Sequence, residues 1–140
     1  MNLNGSDAVY RFVVKSKTDS DPRSLGYLSD AHSLSFHNIR SIHCQDLFFL
    51  RGHLTQTQLE LLASSLLSDT VTQGVEYGLL DPPPVQAKKD SAVNGSASLV
   101  EVVLRPGVTD PVADQILRAS RLLGIETINA AATGSRFLVS

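Results

Sequence analysis

The sequence holds a single cysteine, Cys44, in 140 residues, so no internal disulfide can staple the fold and a reducing, cytoplasmic setting is expected. Positive charge is not in surplus. Twelve Lys and Arg against 14 Asp and Glu give a net charge of -2, too little to neutralise a run of phosphates, so nucleic acid is not expected as a partner. No stretch approaches the ~20 apolar residues that cross a bilayer, and no membrane association is expected. The start, MNLNGSDA, has neither the basic opening nor the apolar core of a secretory signal. No Walker-type loop and no GxGxxG occurs, which leaves nucleotide binding by this segment without support. What is present is the balance of a folded chain, 42% apolar and 19% charged, long enough for one ordinary domain or two very small ones.

The pattern along the chain repeats. Sliding Asp21-Pro22 onto Asp110-Pro111, an offset of 89 (110 - 21), also brings Val13-Val14 onto Val102-Val103, Leu28 onto Leu117, Leu34 onto Leu123, Ile39 onto Ile128 and Phe48 onto Phe137. Two copies of one unit are the simplest explanation.

In the first copy, VYRFVVKS (9–16) is rich in β-branched and aromatic residues and predicts a strand. Asp21 is placed to cap a helix with Pro22 at its first position, and Leu25, Leu28, Ala31 and Leu34 recur along it at three-residue spacing. IRSIHC (39–44) and DLFFLR (46–51) are expected to form a tight hairpin. Thr55 and Gln58 match a capping box, followed by a Leu59, Leu62, Ala63, Leu66 and Leu67 stripe that predicts an amphipathic helix. A last strand is expected at TQGVEYGLL (72–80). The expectation for 1–80 is therefore a βαββαβ unit of α+β class, an antiparallel sheet with its helices on one face.

DPPPVQAKKDSAVNGSAS (81–98) has the Pro, Lys, Gly and Ser content of a linker. The second unit, 99–140, opens with strand LVEVVLR and a Pro106-Gly107 turn. Thr109 and Asp110 then cap a helix that buries Ile116, Leu117, Ser120 and Leu123, and Gly124 ends it in a left-handed conformation. IETINAAA and SRFLVS are expected as its hairpin. A second helix and a fourth strand have no counterpart, so this unit is read as truncated after its third strand. The equivalent helix in the first copy offers leucines worth about 1.5 to 3 kcal/mol each when covered, and without it an apolar sheet face is left bare. The 140 residues are accordingly expected to be the front of a longer polypeptide. One mismatch remains between the copies. The apolar face of the first strand is Tyr10, Phe12 and Val14, whereas the offset strand presents Val100, Val102 and Leu104. Either the register slips by one residue, or both sheet faces are covered by stacking the two copies sheet to sheet.

Among the polar residues, His32, His37, His43 and His53 with Cys44 match no zinc spacing, and a strand would point His43 and Cys44 to opposite faces. Cys44 in mid-strand lacks the base or cation that would make it a nucleophile and reads as a small buried hydrophobe. The Pro106–Asp110 turn before a helix resembles an anion cradle, but Asp110 sets a negative charge where an anion would sit, and capping is the better account. No catalytic, cofactor-binding or metal-ligating residue is assigned.

RPGVTDPVADQILRASRLLGI, together with KSKTDSDPRSLGYL and LRGHLTQTQLELLASSLLSDTVTQGVEYG, resembles the small S subunit of phosphoribosylformylglycinamidine synthase, and more closely the N-terminal region of the large fused form, which carries two S-like units in tandem. The marks are the Asp-Pro capped helix, the Leu123-Gly124-Ile125 ending, the Arg51-Gly52-x-Leu54 step and the Leu66-Leu67-Ser68-Asp69-x-Val71 ending. Ser35 stands where the family has glycine, and Thr70 where it has proline. The resemblance implies a non-catalytic assembly module of an ATP- and glutamine-dependent carbon-nitrogen ligase of purine biosynthesis. It would bridge the synthetase domain in cis to a glutaminase domain or subunit and help shape the ammonia path. ATP and magnesium are implied for the full enzyme and no cofactor for this segment. Two other classes share the expected topology: an amino-acid-sensing regulatory domain, which would place ligands between paired units, and an RNA-binding sheet, which would need exposed aromatics such as Phe48 and Phe49 among basic residues.

Overall fold

The computed structural model describes residues 7–80 and 97–140. Its elements run β1 (Ala8–Ser16), α1 (Pro22–Ser33), β2 (Ile42–Gly52), α2 (Gln56–Ser65), β3 (Gln73–Leu79), β4 (Ser98–Val103), α3 (Pro111–Leu122) and β5 (Ile128–Val139). The strands form one antiparallel sheet in the order β3-β1-β2-β5-β4, so the class is α+β. The expected linker lies outside the described residues apart from Ala97 and Ser98, and Ser98 already belongs to β4.

The helices start where side chains can satisfy their free amides. Asp21 accepts from the Arg23 N–H at 3.2 Å, with Pro22 opening α1. Asp110 accepts from the Ala113 N–H at 3.0 Å, with Pro111 opening α3. Thr55 and Gln58 form the expected reciprocal capping box on α2. α1 and α3 also end alike. The Ser35 N–H donates to the His32 carbonyl and the Phe36 N–H to that of Ala31, while the Gly124 N–H donates to Arg121 and the Ile125 N–H to Ser120. Both are Schellman closures, which require a left-handed residue after the cap. Gly124 takes it at φ 82, and Ser35 takes it at φ 71 despite its Cβ.

All three helices lie on the sheet face that carries Phe12, Val14, Phe48 and Leu50. There Leu59, Leu62, Ala63 and Leu67 of α2 and its following turn join Ile116, Ile125 and Ile128 in one core. On α1 the buried residue is Ser24, with Leu25 and Leu34 exposed. A strict three-residue step drifts 60° per repeat around a helix, so Leu25 and Leu34, nine residues apart, fall on opposite sides. On α3, Ile116 and Ser120 are buried as expected, but Leu123 is exposed.

Both expected hairpins are absent. Residues 42–52 and 128–139 are single long strands. β2 is paired along both edges, to β1 from Ala8↔Gly52 to Val14↔Asp46 and to β5 from Ile42↔Val139 to Arg51↔Ala130, and that pairing holds Gln45 extended where the chain was expected to turn. Gly134 marks a close approach, not a turn: a Cβ there would sit 2.8 Å from the Val102 carbonyl oxygen and from Val103 Cγ1. The first unit thus runs β-α-β-α-β, not βαββαβ. The two halves do not stack sheet on sheet but lie side by side in one sheet. The face mismatch is resolved by a register slip. Val13↔Leu47 in β1·β2 would translate to Val102↔Arg136, whereas Val102 pairs with Ser135.

The β2·β5 ladder carries a bulge between Arg51 and Gly52, which keeps Ile128 on the core side. A Cβ at Gly52 would lie 2.1 Å from the Thr127 carbonyl oxygen. Gly52→Ala is therefore expected to lower stability by about 1 to 3 kcal/mol, measured by urea unfolding. Ser35→Gly is expected to raise it by up to about 1 kcal/mol by relieving the left-handed serine, and Gly124→Ser to lower it. Equal midpoints for either variant and the parent would contradict the assigned strain.

Candidate interaction surface

β4 has β5 on one side and, among the described residues, no strand on the other. Edge strands are normally blunted by Lys, Pro or a bulge. Ser98–Val103, SLVEVV, has none of these, and all six residues are exposed. Its one charge, Glu101, is taken by Arg136, whose Nε and Nη2 donate at 3.0 and 2.8 Å. The edge therefore offers unpaired backbone groups flanked by Val100 and Val102 on the helix face and by Leu99 and Val103 on the other.

The apolar surface continues onto α1. Tyr27 packs edge-to-face on Phe137 at 4.9 Å yet stays 45% exposed, and Phe36, just past the helix, is 55% exposed. A separate groove of about 560 Å³ opens between β4 and the start of α3, walled by Phe48, Val102, Leu104, Val112 and Ser135.

The helix N-termini are tied to the sheet at two matched points. Where β1 leaves β2 beyond Val14↔Asp46, the Cys44 N–H donates to Ser24 Oγ at 2.9 Å, and Ser24 Oγ donates to Asp21 at 3.3 Å. Where β4 leaves β5 beyond Val103↔Gly134, the Thr133 N–H and hydroxyl both donate to Asp110 Oδ2, at 2.8 and 2.9 Å. Arg23 adds a two-pronged pair to Asp46, at 2.9 and 3.2 Å, which raises the pKa of Arg23 above its ordinary value. Partial burial pulls Asp110 upward, but the bonds from Ala113 and Thr133 prevail and hold its pKa below the ordinary carboxylate value.

The structure scatters the polar residues singled out in the sequence. His32 Nε2 bonds the Ile39 carbonyl oxygen at 2.8 Å, with the His37 ring 6.0 Å away. His53 faces Asp7 at 3.2 Å. His43 is exposed on the helix-free face, while Cys44 is buried on the other. Burial pushes the Cys44 thiol up, with the nearby Arg23 charge opposing it. Among the described residues no three of His, Cys, Asp and Glu come together as a metal site, and no helix is long and apolar enough to cross a membrane. The Pro106–Asp110 segment is a turn with Gly107 at φ 85, and Asp110 caps α3. Phe48 joins the core, and Phe49 faces the helix-free side opposite Arg11. The sequence reading did not anticipate that side's ion pairs, Lys15–Glu76 at 2.6 Å and Arg136–Glu101. Their only signal was charge at alternate strand positions. Tyr27 and Phe36 were also missed as surface residues.

Comparison of the chain with protein-family models, curated proteins and solved structures finds no match.

Because the pKa of Asp110 is depressed in the folded state, the stability it supplies is full above the ordinary carboxylate value and lost as pH falls through its folded value. Asp110→Ala is expected to cost about 1 kcal/mol at neutral pH. Asp110→Asn should show a shallower loss of stability than the parent on acidification below about pH 4. Chemical unfolding at a series of pH values measures both, and parallel acid limbs would contradict the assignment.

Proposed function

We propose that the chain is a non-catalytic assembly module built from two related units, the N-terminal portion of a phosphoribosylformylglycinamidine synthase, joining its synthetase domain to the glutaminase. The observation that carries this reading is the offset of 89 between like features. α1 and α3 begin 89 residues apart (111 - 22) and end 89 apart (122 - 33). Their caps and Schellman closures fall at the same spacing, and the pair at the centre of β2·β5, Asp46↔Ser135, is itself 89 apart (135 - 46). A tandem of S-like units would produce this spacing, with β2 and β5 meeting as the equivalent strands of two subunits do across a two-fold axis. Joining both in one chain keeps the pair assembled at any concentration.

Support for the assembly role is the surface, which is apolar at β4 and α1. Among the described residues β4 has no counterpart of what β3 and α2 supply to β1.

The reading is tested by reconstituting the synthetase domain and glutaminase of such an enzyme with and without this chain, each as a separate polypeptide. Glutamine-dependent amidine formation should fall at least about tenfold when the chain is omitted, while turnover with free ammonia persists, because only ammonia delivery needs the bridge. Equal glutamine-dependent rates with and without it, and no co-elution with either partner, would remove the proposal.

A further inference from the structure

The two halves of the sheet are finished differently, and the difference defines an occupant. On the β1 side, β3 pairs antiparallel from Tyr10↔Leu79 to Ser16↔Gln73, and α2 with the turn after it brings Leu59, Leu62 and Leu67 into one cluster with Phe12, Val14 and Leu50. The same cluster takes in two residues of the α3 region, Ile116 and Ile125, at 6% and 2% exposure. At the 89-residue offset their counterparts are Tyr27 (116 - 89) and Phe36 (125 - 89), exposed at 45% and 55%. The residues that enter the cluster with the leucines of α2 in one half are thus large and apolar in the other half but uncovered. β4, the counterpart of β1, is uncovered with them, with Val102 54% exposed.

We propose that Tyr27, Phe36, Phe137, Val100 and Val102 form the seat for a helix-strand segment of the α2–β3 kind. Its leucine-striped amphipathic helix lies over the aromatic residues, and its following strand pairs antiparallel with the outer edge of β4. This rests on the two-unit reading above and names the chemistry of the partner. A second copy of the chain joined edge to edge through β4 fits less well. It would satisfy the backbone groups of β4 but set Glu101 near its own copy and leave Tyr27 and Phe36 in water, because a strand cannot cover a patch on α1.

The structure also supplies the probe. α2 begins four residues after β2 ends at Gly52, and Gly52 maps at the offset to the position just past Ser140 (52 + 89). A second copy of residues 53–80, fused after Ser140 through a short Gly-Ser spacer, therefore starts where its seat requires. In the fused chain the Leu99–Val103 amides are expected to exchange with solvent at least about tenfold more slowly than in the parent, and binding of an apolar dye is expected to fall. Both effects should vanish when Leu59, Leu62 and Leu67 are replaced by Ser in the appended copy alone, or when Val102→Lys is introduced, with the β2 amides unchanged as the control for folding. Unchanged β4 exchange in the fusion overturns the proposal. So does sedimentation showing that the 140-residue chain is already a dimer whose β4 amides are protected. No synthetase or glutaminase enters this measurement, so a failure here and a failure of the bridging role are read separately.

Discussion

The antiparallel joint between β2 and β5 is the contact on which the rest of the molecule depends. Its ladder runs from Ile42↔Val139 to Arg51↔Ala130 and, past a one-residue bulge, to Gly52↔Ile128. Without it the described residues would be two fragments, the second of them two strands and a helix, too small to bury a core of its own. With it, α3 is brought beside α2, and Ile116, Ile125 and Ile128 enter the same cluster as Leu59, Leu62 and Leu67. The second half is stable because it shares the core of the first. The requirement for Gly52 follows from the same joint, since the bulge presses the Thr127 carbonyl against its Cα.

A sheet joined at its centre has two outer edges, and these differ. One is β3, where Gly74 and Gly78, flanking Glu76 on the helix-free side, have open space around them. The other edge is β4, whose apolar side chains face both directions, with no proline and with its one charge, Glu101, already paired to Arg136. Continuity between this edge and the exposed aromatics of α1 gives the surface its character: one strand edge and one helix flank, side by side.

Much of this was legible in the sequence where a local rule decides the outcome. Asp21-Pro22, Asp110-Pro111 and Thr55 with Gln58 specify helix starts through side-chain hydrogen bonds within a few residues, and the structure forms each of them. Gly124 specifies a left-handed closure for the same reason. The fold diverges from expectation where a partner distant in sequence decides. Gln45 and Thr133-Gly134 read as turns because each segment divides into two short strand-like runs. In the structure they stay extended because both edges of β2 are occupied, and because β5 needs a residue without Cβ beside Val103. The surface role of Tyr27 and Phe36 was illegible for a related reason: exposure depends on whether another element arrives to cover a residue. Only the comparison with Ile116 and Ile125, which are covered, exposes it.

The helix-free face shows why β4 and α1 are the more favourable surface for association. Val13 and Leu47 are directly paired there and buried within the sheet surface itself, and around them lie the matched pairs Lys15–Glu76 and Arg136–Glu101. Hydrogen bonding to Lys15, with the charge of that ammonium, holds the pKa of Glu76 below its ordinary value. Such exposed pairs contribute at most about 1 kcal/mol each to stability, but any partner laid over this face would have to desolvate them. An RNA strand would also find two of its cations already neutralised, whatever Phe49 and Arg11 offer for stacking. At β4 and α1 the balance is reversed. The one charge, Glu101, is satisfied from within, the backbone edge lacks a partner among the described residues, and covering Val100, Val102, Tyr27 and Phe36 removes apolar surface from water without stripping any ion pair. The chemistry of the two surfaces therefore favours extension of the sheet sideways, beyond β4, over stacking of a second layer on its open face.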